Sequence, residues 1–428
     1  MGSGHRGPIA WTIVIGIADH PGRSPVTSQA DGRATAVSAW IGMAAASMLA
    51  WIVLLVGRGF FWRVSPCLEP LSGSAEARAS VAAIIPARDE ADVLPKTLPT
   101  VLEQDYRGPL EVVVVDDRSA DRTADVAAST AAKHGAADRV RVVSGAPLPA
   151  GWRGKVWAMH QGVGAASGQV DYFWFTDADI AHDEWVLGAL VDRAETDRRD
   201  LVSTMAKLRA ESRWDRLLIP AFVYFFAKLY PFRFVASSKR RTAGAAGGCV
   251  LVQREAFERV GGIESIRSAL IDDCALGRTI KRSGGRLWLG FSRGVRSTRG
   301  YGSLTSVWEM VARSAYTQLG HSPLMLLGTV VGMLLLYLLP PCICIAGAIA
   351  FVFAVPGATW LIALGGTTWT LMALSFLPIV RHHEVPPWVC RLLPLAGVLY
   401  TAMTVSSAWR HRTGRGGAWK GRTYSPDR

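Results

Sequence analysis

The sequence predicts an α/β fold with a mostly parallel sheet flanked by helices, plus α-helical transmembrane segments at both ends of the chain. Three observations support this prediction. Short apolar strands recur about every 30 residues from Val81 onward, which is the spacing of a strand–helix–strand unit. Long uncharged runs precede and follow this region. Half of the 428 residues are hydrophobic, and the mean hydropathy is +0.22.

The amino-terminal part divides into three predicted segments. Residues 1–35 contain glycine, serine and proline around a short apolar stretch, and we expect a flexible extension. Residues 36–57 form the first predicted transmembrane helix, because they open with 21 uncharged residues, enough to cross about 30 Å of hydrocarbon. Residues 58–80 are a predicted linker. Arg58 and Arg63 at its start favour a cytoplasmic position for the region that follows.

Residues 81–300 are predicted to form the α/β domain. Apolar strands alternate with runs of helical length, so we expect parallel strands with helices on both faces of the sheet. The strands begin near Val81, Glu111, Arg139, Tyr172 and Leu201.

Acidic residues follow three of these strands at the point where each strand ends. The carboxyl ends of parallel strands meet at one sheet edge, where open α/β sheets bind ligands. The D-x-D pair after the fourth strand suits Mg²⁺, which accepts one or two carboxylates and completes its shell with water and phosphate oxygens. A nucleotide diphosphate is the first ligand to expect, with solvated acids as the alternative. The acidic residues are Glu90, which follows the strand that ends at Pro86 and Ala87, then Asp116 and Asp117, and then Asp177 and Asp179.

Three further features have both a functional and a structural interpretation. Lys155 begins a predicted helix, where it can meet a phosphate or remain solvated. Gly247 and Gly248 precede a short strand and allow backbone to approach a ligand. Asp272 and Asp273 lie near a predicted helix start, where one can act as a general base or both can stabilise the helix amino end.

The segment from Trp214 to Val235 is rich in aromatic and basic residues. It predicts either a helix in the membrane interface or a buried core helix. The run Lys239, Arg240 and Arg241 that follows can contact anionic lipid or form a solvated loop.

The carboxyl-terminal part is predicted to be largely membrane-embedded. Residues 301–322 form an interfacial amphipathic segment, 323–409 a multi-pass region and 410–428 a basic cytoplasmic tail. We count four spans, although Leu324 to Val355 could be one kinked helix. The net charge of +13 is concentrated partly in the tail, so nucleic-acid binding is disfavoured. The six cysteines form no metal-binding or disulfide pattern.

Four stretches in order resemble the family 2 glycosyltransferases with the GT-A fold. They are IPARDE, VVVVDDRSADRT, GKVWAMHQGVGAASG through FWFTDAD, and IDDCALGRTIKRSGGRLW. More narrowly, GAPLPAGWRGKVWA, the LLIPAFVYFFAKLYPFRFV run and AAGGCVLV resemble the hopene-associated glycosyltransferases of hopanoid-producing bacteria. No Q-x-x-R-W motif precedes the membrane spans, which argues against a processive polysaccharide synthase. The nearest candidates are Trp308, Arg313 and Gln318.

The resemblance implies a role for each candidate residue. Asp273 matches the family's catalytic base, and Asp272 replaces its usual glutamate. Asp177 and Asp179 match the metal motif, with Mg²⁺ or Mn²⁺ as cofactor. The expected nucleotide-sugar site is Pro86, Glu90, Asp116, Asp117, Lys155 and Asp177, and the expected acceptor side is Gly247, Gly248 and Arg313.

The resulting expectation is an inverting transfer of a sugar from a nucleotide-sugar to a lipid acceptor, with hopanoid metabolism as the setting. The enzyme would be multi-pass in the bacterial cytoplasmic membrane, with the catalytic domain on the cytoplasmic side. Two alternatives stay open. One is a polyprenyl-phosphate glycosyltransferase, and the other is a membrane binding or scaffold protein with a degenerate transferase domain.

Overall fold

A computed structural model describes residues 25–71 and 79–414. Most of the predicted amino-terminal extension and of the basic tail therefore lies outside the described residues. The described extension residues belong to α1, which runs from Pro25 to Gly57. The helix thus begins before residue 36, so the prediction of a flexible segment up to residue 35 is wrong for its last part. Apart from Pro25 at its start, the segment contains no proline to end a helix.

The core of the chain is one nine-stranded sheet in the order β1-β9-β7-β8-β5-β2-β3-β4, with β6 paired to β9. Strand β8 runs antiparallel to both β5 and β7, and β6 is antiparallel to β9, while the other pairs are parallel. The predicted fold class is confirmed. The strands are Cys67–Leu68 (β1), Val81–Ala87 (β2), Leu110–Asp116 (β3), Val140–Ser144 (β4), Tyr172–Phe175 (β5), Ile180–His182 (β6), Leu201–Lys207 (β7), Val250–Gln253 (β8) and Leu287–Ser297 (β9).

Helices cover both faces of the sheet because successive strand residues point to opposite sides. On β2, Ile84 packs into one core with α4, while Ile85 packs into the other with α2 and α5. Uninterrupted burial along β2 is the pattern of a strand covered on both faces. The helices of this domain are Leu94–Leu102 (α2), Thr123–Lys133 (α3), Gly154–Ala165 (α4), Val186–Thr196 (α5), Arg213–Leu229 (α6), Phe232–Ala236 (α7), Arg254–Arg259 (α8) and Asp272–Arg282 (α9).

The aromatic segment after the fifth predicted strand is mainly α6, and it is a buried helix. Ser212 and Asp215 form a capping box at its amino end, which satisfies two otherwise unpaired backbone N–H groups. Tyr224 is fully buried and lies 2.6 Å, oxygen to oxygen, from Ser375. Tyr400 donates a hydrogen bond to the Leu218 carbonyl at 2.9 Å. These contacts agree with the interpretation of a core helix, and α6 joins the sheet domain to the apolar helices.

Five helices in the described residues are long and apolar enough to cross a membrane: one near the amino terminus, α6 with α7, and three near the carboxyl terminus. The predicted count of four carboxyl-terminal spans becomes three candidates, because Leu324 to Val352 is one continuous helical segment. A π-helical turn at Leu334–Leu338 precedes Pro340 and Pro341 and takes up the backbone bonds that proline disrupts. The helices are Leu304–Gln318 (α10), Pro323–Met333 (α11), Leu339–Val352 (α12), Ala358–His382 (α13) and Leu393–Arg412 (α14).

Candidate active site

Strands β2, β3 and β5 lie side by side and parallel, so their carboxyl ends bring three predicted site segments to one edge. Ala87 is in register with Asp116, and the next amide, that of Asp117, donates to the Ala87 carbonyl at 2.8 Å. Pro86 is the residue before Ala87 in β2. The sheet therefore assembles the predicted nucleotide edge through backbone register alone.

The loop after β3 is shaped around its two aspartates. Asp117 is fully buried, and its backbone carbonyl accepts a hydrogen bond from Arg88 at 2.5 Å. The Asp116 carboxylate accepts from the Ser119 amide at 3.2 Å. A side chain at Gly145 would place its Cβ 2.8 Å from the Asp116 carbonyl oxygen, so the β4 end approaches this loop closely because it carries glycine.

Lys155 lies at the centre of the acidic cluster. Helix α4 begins at Gly154 and aims the lysine so that Nζ is 2.7 Å from Asp177 Oδ1 and 3.3 Å from Asp272 Oδ2. Burial alone would lower the pKa of Lys155, but Asp177 and Asp272 hold that pKa well above its usual value. The ammonium group thus joins the D-x-D motif to the start of α9. Its predicted contact with the nucleotide stays a prediction.

Asp273 occupies the second position of α9 and is fixed from two sides. Its Oδ2 accepts a hydrogen bond from the Gly247 amide at 2.7 Å, and its Oδ1 accepts from the Cys274 amide at 2.6 Å. Burial, followed by the neighbouring Asp272 charge, raises the pKa of Asp273 to about 7. A carboxyl group with a pKa near neutrality is suited to proton transfer at physiological pH. The hydrogen bond from the Cys274 amide agrees with stabilisation of the helix amino end, and the role of Asp273 as general base stays a prediction.

Asp179 is held on the other side of the cluster by the loop that follows β9. Thr298 donates to the Asp179 backbone carbonyl from its amide at 2.8 Å and from its hydroxyl at 2.9 Å. Arg299 binds the Glu90 carboxylate at 2.7 Å. Burial and the nearby Glu90 charge raise the pKa of Asp179. Glu90 therefore lies near the D-x-D motif, on the side opposite Lys155.

The D-x-D carboxylates can take part in metal binding but do not make a complete metal site. In the part of the chain that the structure describes, no group of three or more histidine, cysteine or acidic residues is arranged to hold a metal ion. Asp177 and Asp179 supply two carboxylates, which fits a divalent cation that takes its remaining ligands from phosphate and water.

Helix α10 forms the side of the site nearest the apolar helices. Gln318 donates a hydrogen bond to the Tyr230 hydroxyl at 2.6 Å, and the Tyr230 ring packs against Gly244. Tyr301, before α10, has its pKa raised by burial, with the Arg313 charge acting in the opposite direction. Arg313 is therefore close enough to Tyr301 to act on its charge, and its place on the acceptor side stays a prediction. Gly248 instead packs against β6, since a Cβ at this position would lie 3.3 Å from the Ile180 side chain.

Sequence reasoning missed Thr298, Arg299 and Tyr230 as parts of the site. The sequence offered one signal for Arg299. It is a basic residue shortly after β9. Its partner Glu90 is 209 positions away in the chain, and no local pattern connects two residues at such a separation. Tyr230 lies near the end of the aromatic run, most of which forms α6.

We predict that Gly247→Ala lowers kcat by about tenfold to a hundredfold, because displacing a catalytic group by about 1 Å can have that effect. A Cβ at residue 247 would lie 3.2 Å from Asp273 Oδ2 and 3.3 Å from Lys155 Nζ. Gly164→Ala is the matched control, since no atom lies within 4 Å of its Cβ position. Steady-state kinetics of the two variants test the prediction, and equal rates would contradict the close packing of Asp273.

Comparison with known proteins identifies the part of the chain that carries this edge. Residues 82–261 match the family model described as glycosyl transferase family 2. Over these residues, which are less than half of the chain, the protein is similar to that family. The GT-A type fold expected from the sequence is consistent with its sheet. Asp272 and Asp273 lie outside the matched range, so their place in the glycosyltransferase site rests on their contacts with Lys155 and Gly247.

A curated relative shares this domain. The 4,4'-diaponeurosporenoate glycosyltransferase of Staphylococcus haemolyticus (strain JCSC1435) is 28% identical over 209 residues, which is 48% of this chain and 53% of the relative. The chain thus aligns with about half of the length of that relative.

Solved glycosyltransferase structures are also similar at low identity. A mannosyltransferase from Pyrobaculum calidifontis in complex with GDP-Man and Mn²⁺ gives 18% identity and a TM-score of 0.49. The alignment covers 87% of this chain and 98% of the mannosyltransferase chain. Glucosyl-3-phosphoglycerate synthase from Mycobacterium tuberculosis, in complex with Mn²⁺ and UDP-Glc, gives 20% identity and a TM-score of 0.40, covering 60% and 86%.

Proposed function

We propose that this protein is a membrane-bound, inverting glycosyltransferase that moves a sugar from a nucleotide-sugar to a hydroxyl group of a lipid. One observation supports this proposal above the others. The D-x-D motif, Lys155 and the buried Asp273 converge at one edge of the sheet, next to residues that match family 2 glycosyltransferases, and α10 links this side to the apolar helices. The arrangement supplies a donor site, a proton acceptor and access for an apolar substrate in one place.

The donor end of the reaction uses the β2, β3 and β5 edge. We expect Asp116 and Asp117 to contribute to nucleoside binding, and Asp177 and Asp179 would hold Mg²⁺ or Mn²⁺. When bound, such a cation neutralises charge on the departing diphosphate. Lys155 contributes a second positive charge within the cluster.

The acceptor end of the reaction uses Asp273. In its ionised form this carboxylate can accept the proton of the attacking hydroxyl while the Gly247 amide fixes its orientation. The oxygen then bonds to the anomeric carbon as the bond to the diphosphate breaks, and in-line displacement inverts that carbon. The carboxylate of Asp272 pairs with the ammonium group of Lys155 and so balances its positive charge next to Asp273.

The arrangement of α14 supports a common side for the catalytic domain and the tail. Glu384, which follows α13 and lies nine residues before α14, forms an ion pair with Lys207 of β7. At the carboxyl end of α14, Arg410 binds Glu309 of α10 at 2.8 Å. Since the chain contacts the sheet domain shortly before α14 and contacts α10 at its end, we propose that α14 lies along the membrane surface. Helices α12 and α13 then cross as a pair, and the tail returns to the cytoplasm.

The lipid acceptor defines the finer version of the proposal. The carotenoid-related substrate in the name of the Staphylococcus haemolyticus relative supports an apolar acceptor, and the motifs after β4 and in α6 favour a hopanoid. A polyprenyl phosphate is the second candidate within the same mechanism. Assays with hopanoid and polyprenyl-phosphate acceptors separate the two, because only one should accelerate release of nucleoside diphosphate. Absence of release with every donor and acceptor would favour the binding-protein alternative.

The pH dependence of kcat/KM follows from the raised pKa of Asp273. Below about pH 7 the carboxyl group is largely protonated and cannot accept the acceptor proton. We expect kcat/KM to rise from pH 6 to pH 8 and then level off, and Asp273→Glu to shift the midpoint. A flat profile in the wild type over this range would contradict the assignment of Asp273 as base.

A further inference from the structure

A second charged surface lies at the carboxyl end of α1, away from the acidic cluster. Two short segments form it, residues 58–63 and 228–241, and together they contain seven basic residues and no acidic residue. We call these segments the basic collar. The basic residues are Arg58, Arg63, Lys228, Arg233, Lys239, Arg240 and Arg241.

A tight turn fixes the first segment of the collar against the second. Gly59 and Phe60 both have left-handed backbone angles, with φ of 66° and 53°. A Cβ at Gly59 would lie 3.1 Å from both Phe234 and Pro231, so the turn packs directly on α7. Arg58 donates to the Lys228 carbonyl at 3.1 Å, which caps α6. The collar is therefore a formed surface rather than two independent loops.

Two guanidinium groups lie near the ring of Phe60 at this surface. The Cζ atoms of Arg63 and Arg233 lie 5.1 Å and 5.4 Å from the centre of its ring, within the range of cation–π attraction. Both side chains are exposed. Among the residues that the structure describes, neither forms an ion pair with a carboxylate. An anion bound beside Phe60 would therefore meet the positive charge of both guanidinium groups.

The position of the collar indicates which anion it meets. It begins where α1 ends, and the outward face of α1 just before it is apolar and open, with Val53 and Val56 59% and 64% exposed. The Trp62 indole, which donates to the Leu55 carbonyl at 3.0 Å, lies at the same level, as tryptophan does at membrane interfaces. A bilayer around α1 would thus place phosphate headgroups beside the two arginines.

We propose that the basic collar binds the phosphate of an anionic membrane lipid through Arg63 and Arg233. This inference rests on the membrane placement of α1 in the proposed function, but not on the transfer reaction. Lipid bound there would hold the α1 end and α7 at a fixed depth, next to Tyr230 at the acceptor side of the active site.

The test uses the full-length protein, purified in detergent and delipidated, and native mass spectrometry with added phosphatidylglycerol or phosphatidylcholine. We expect the wild type to retain phosphatidylglycerol preferentially. Arg63→Ala/Arg233→Ala should weaken that retention about 25-fold, the product of about fivefold for each surface cation. Arg63→Lys/Arg233→Lys should recover most of it. The matched control is Arg107→Ala/Arg139→Ala, which removes two exposed arginines from the opposite edge of the sheet.

Several outcomes would overturn the proposal. Equal retention by the wild type and the alanine double variant, with matching thermal unfolding in lipid-free detergent, would exclude the collar. Displacement of the lipid by equimolar inorganic phosphate would indicate a general anion site, and preferential capture of RNA would indicate a different partner. Lipid retention is measured without donor or acceptor, so failure here is independent of failure of the transferase assay.

Discussion

Asp273→Asn is expected to lower kcat by about 10²- to 10⁴-fold, the usual contribution of general-base catalysis. The amide cannot accept the acceptor proton, but it is nearly isosteric, and its oxygen can still accept the hydrogen bond of the Gly247 amide. Its NH2 group then faces the Cys274 amide, so that one hydrogen bond is lost while the rest of the site keeps its contacts. Donor affinity, measured by titration with the nucleoside diphosphate, should change little, because the nucleotide edge lies at β2 and β3.

The control for this variant is Asp125→Asn on α3, whose side chain is 71% exposed and pairs only with Arg122 among the described residues. It removes one carboxylate without touching the cluster, and kcat should equal that of the wild type. Turnover by Asp273→Asn within twofold of the wild type would show that another group accepts the proton.

Asp179→Ala is expected to reduce metal-dependent transfer on the order of 10³-fold, since charge stabilisation by a catalytic cation contributes several kcal/mol. The remaining carboxylate, Asp177, is paired with Lys155 at 2.7 Å. We therefore expect weaker Mn²⁺ binding as well, measured by electron paramagnetic resonance of free Mn²⁺ in the presence of nucleoside diphosphate.

Asp138→Ala serves as its control, because this exposed carboxylate precedes β4 at the far edge of the sheet. Unchanged Mn²⁺ affinity in Asp179→Ala would refute its assignment as a metal ligand. Reduced affinity with normal transfer would mean that the cation is not needed for the reaction.

The sheet edge could be predicted from sequence because its determinants are local. Each strand is a short apolar run, and the acids stand directly at its end, so parallel pairing brings Asp116 and Asp177 to the same edge without further information. The position of Asp273 was predictable for the same reason. It lies in the first turn of a helix whose apolar face can be seen in the sequence and which a glycine follows.

The contacts between segments could not be predicted in this way. Lys155 was expected either at a phosphate or in solvent, and the pairing of its ammonium group with Asp177 and Asp272 was not foreseen. Arg299 reaches Glu90 across the site, and α10 meets the domain through Gln318. These pairings depend on how separate elements pack, and a single sequence carries no periodic pattern for them.

The apolar helices show the same difference between features that local sequence determines and features that packing determines. Hydropathy located each apolar run, but it could not decide how Leu324 to Val352 bends, because the π-helical turn at Leu334–Leu338 depends on packing around Tyr337. Composition equally allowed α6 to lie in the interface. The hydrogen bonds of Tyr224 and Tyr400 show instead that it is enclosed by α13 and α14.

The most direct test of the account is a panel of nucleotide-sugars incubated with purified protein and a hopanoid lipid. Release of nucleoside diphosphate would be followed with Mg²⁺ or Mn²⁺ and then with EDTA. We predict release with one donor that rises with added lipid and stops when EDTA removes the cation. Lipid-independent release, or none from any donor by folded protein, would contradict transfer to a lipid at this site.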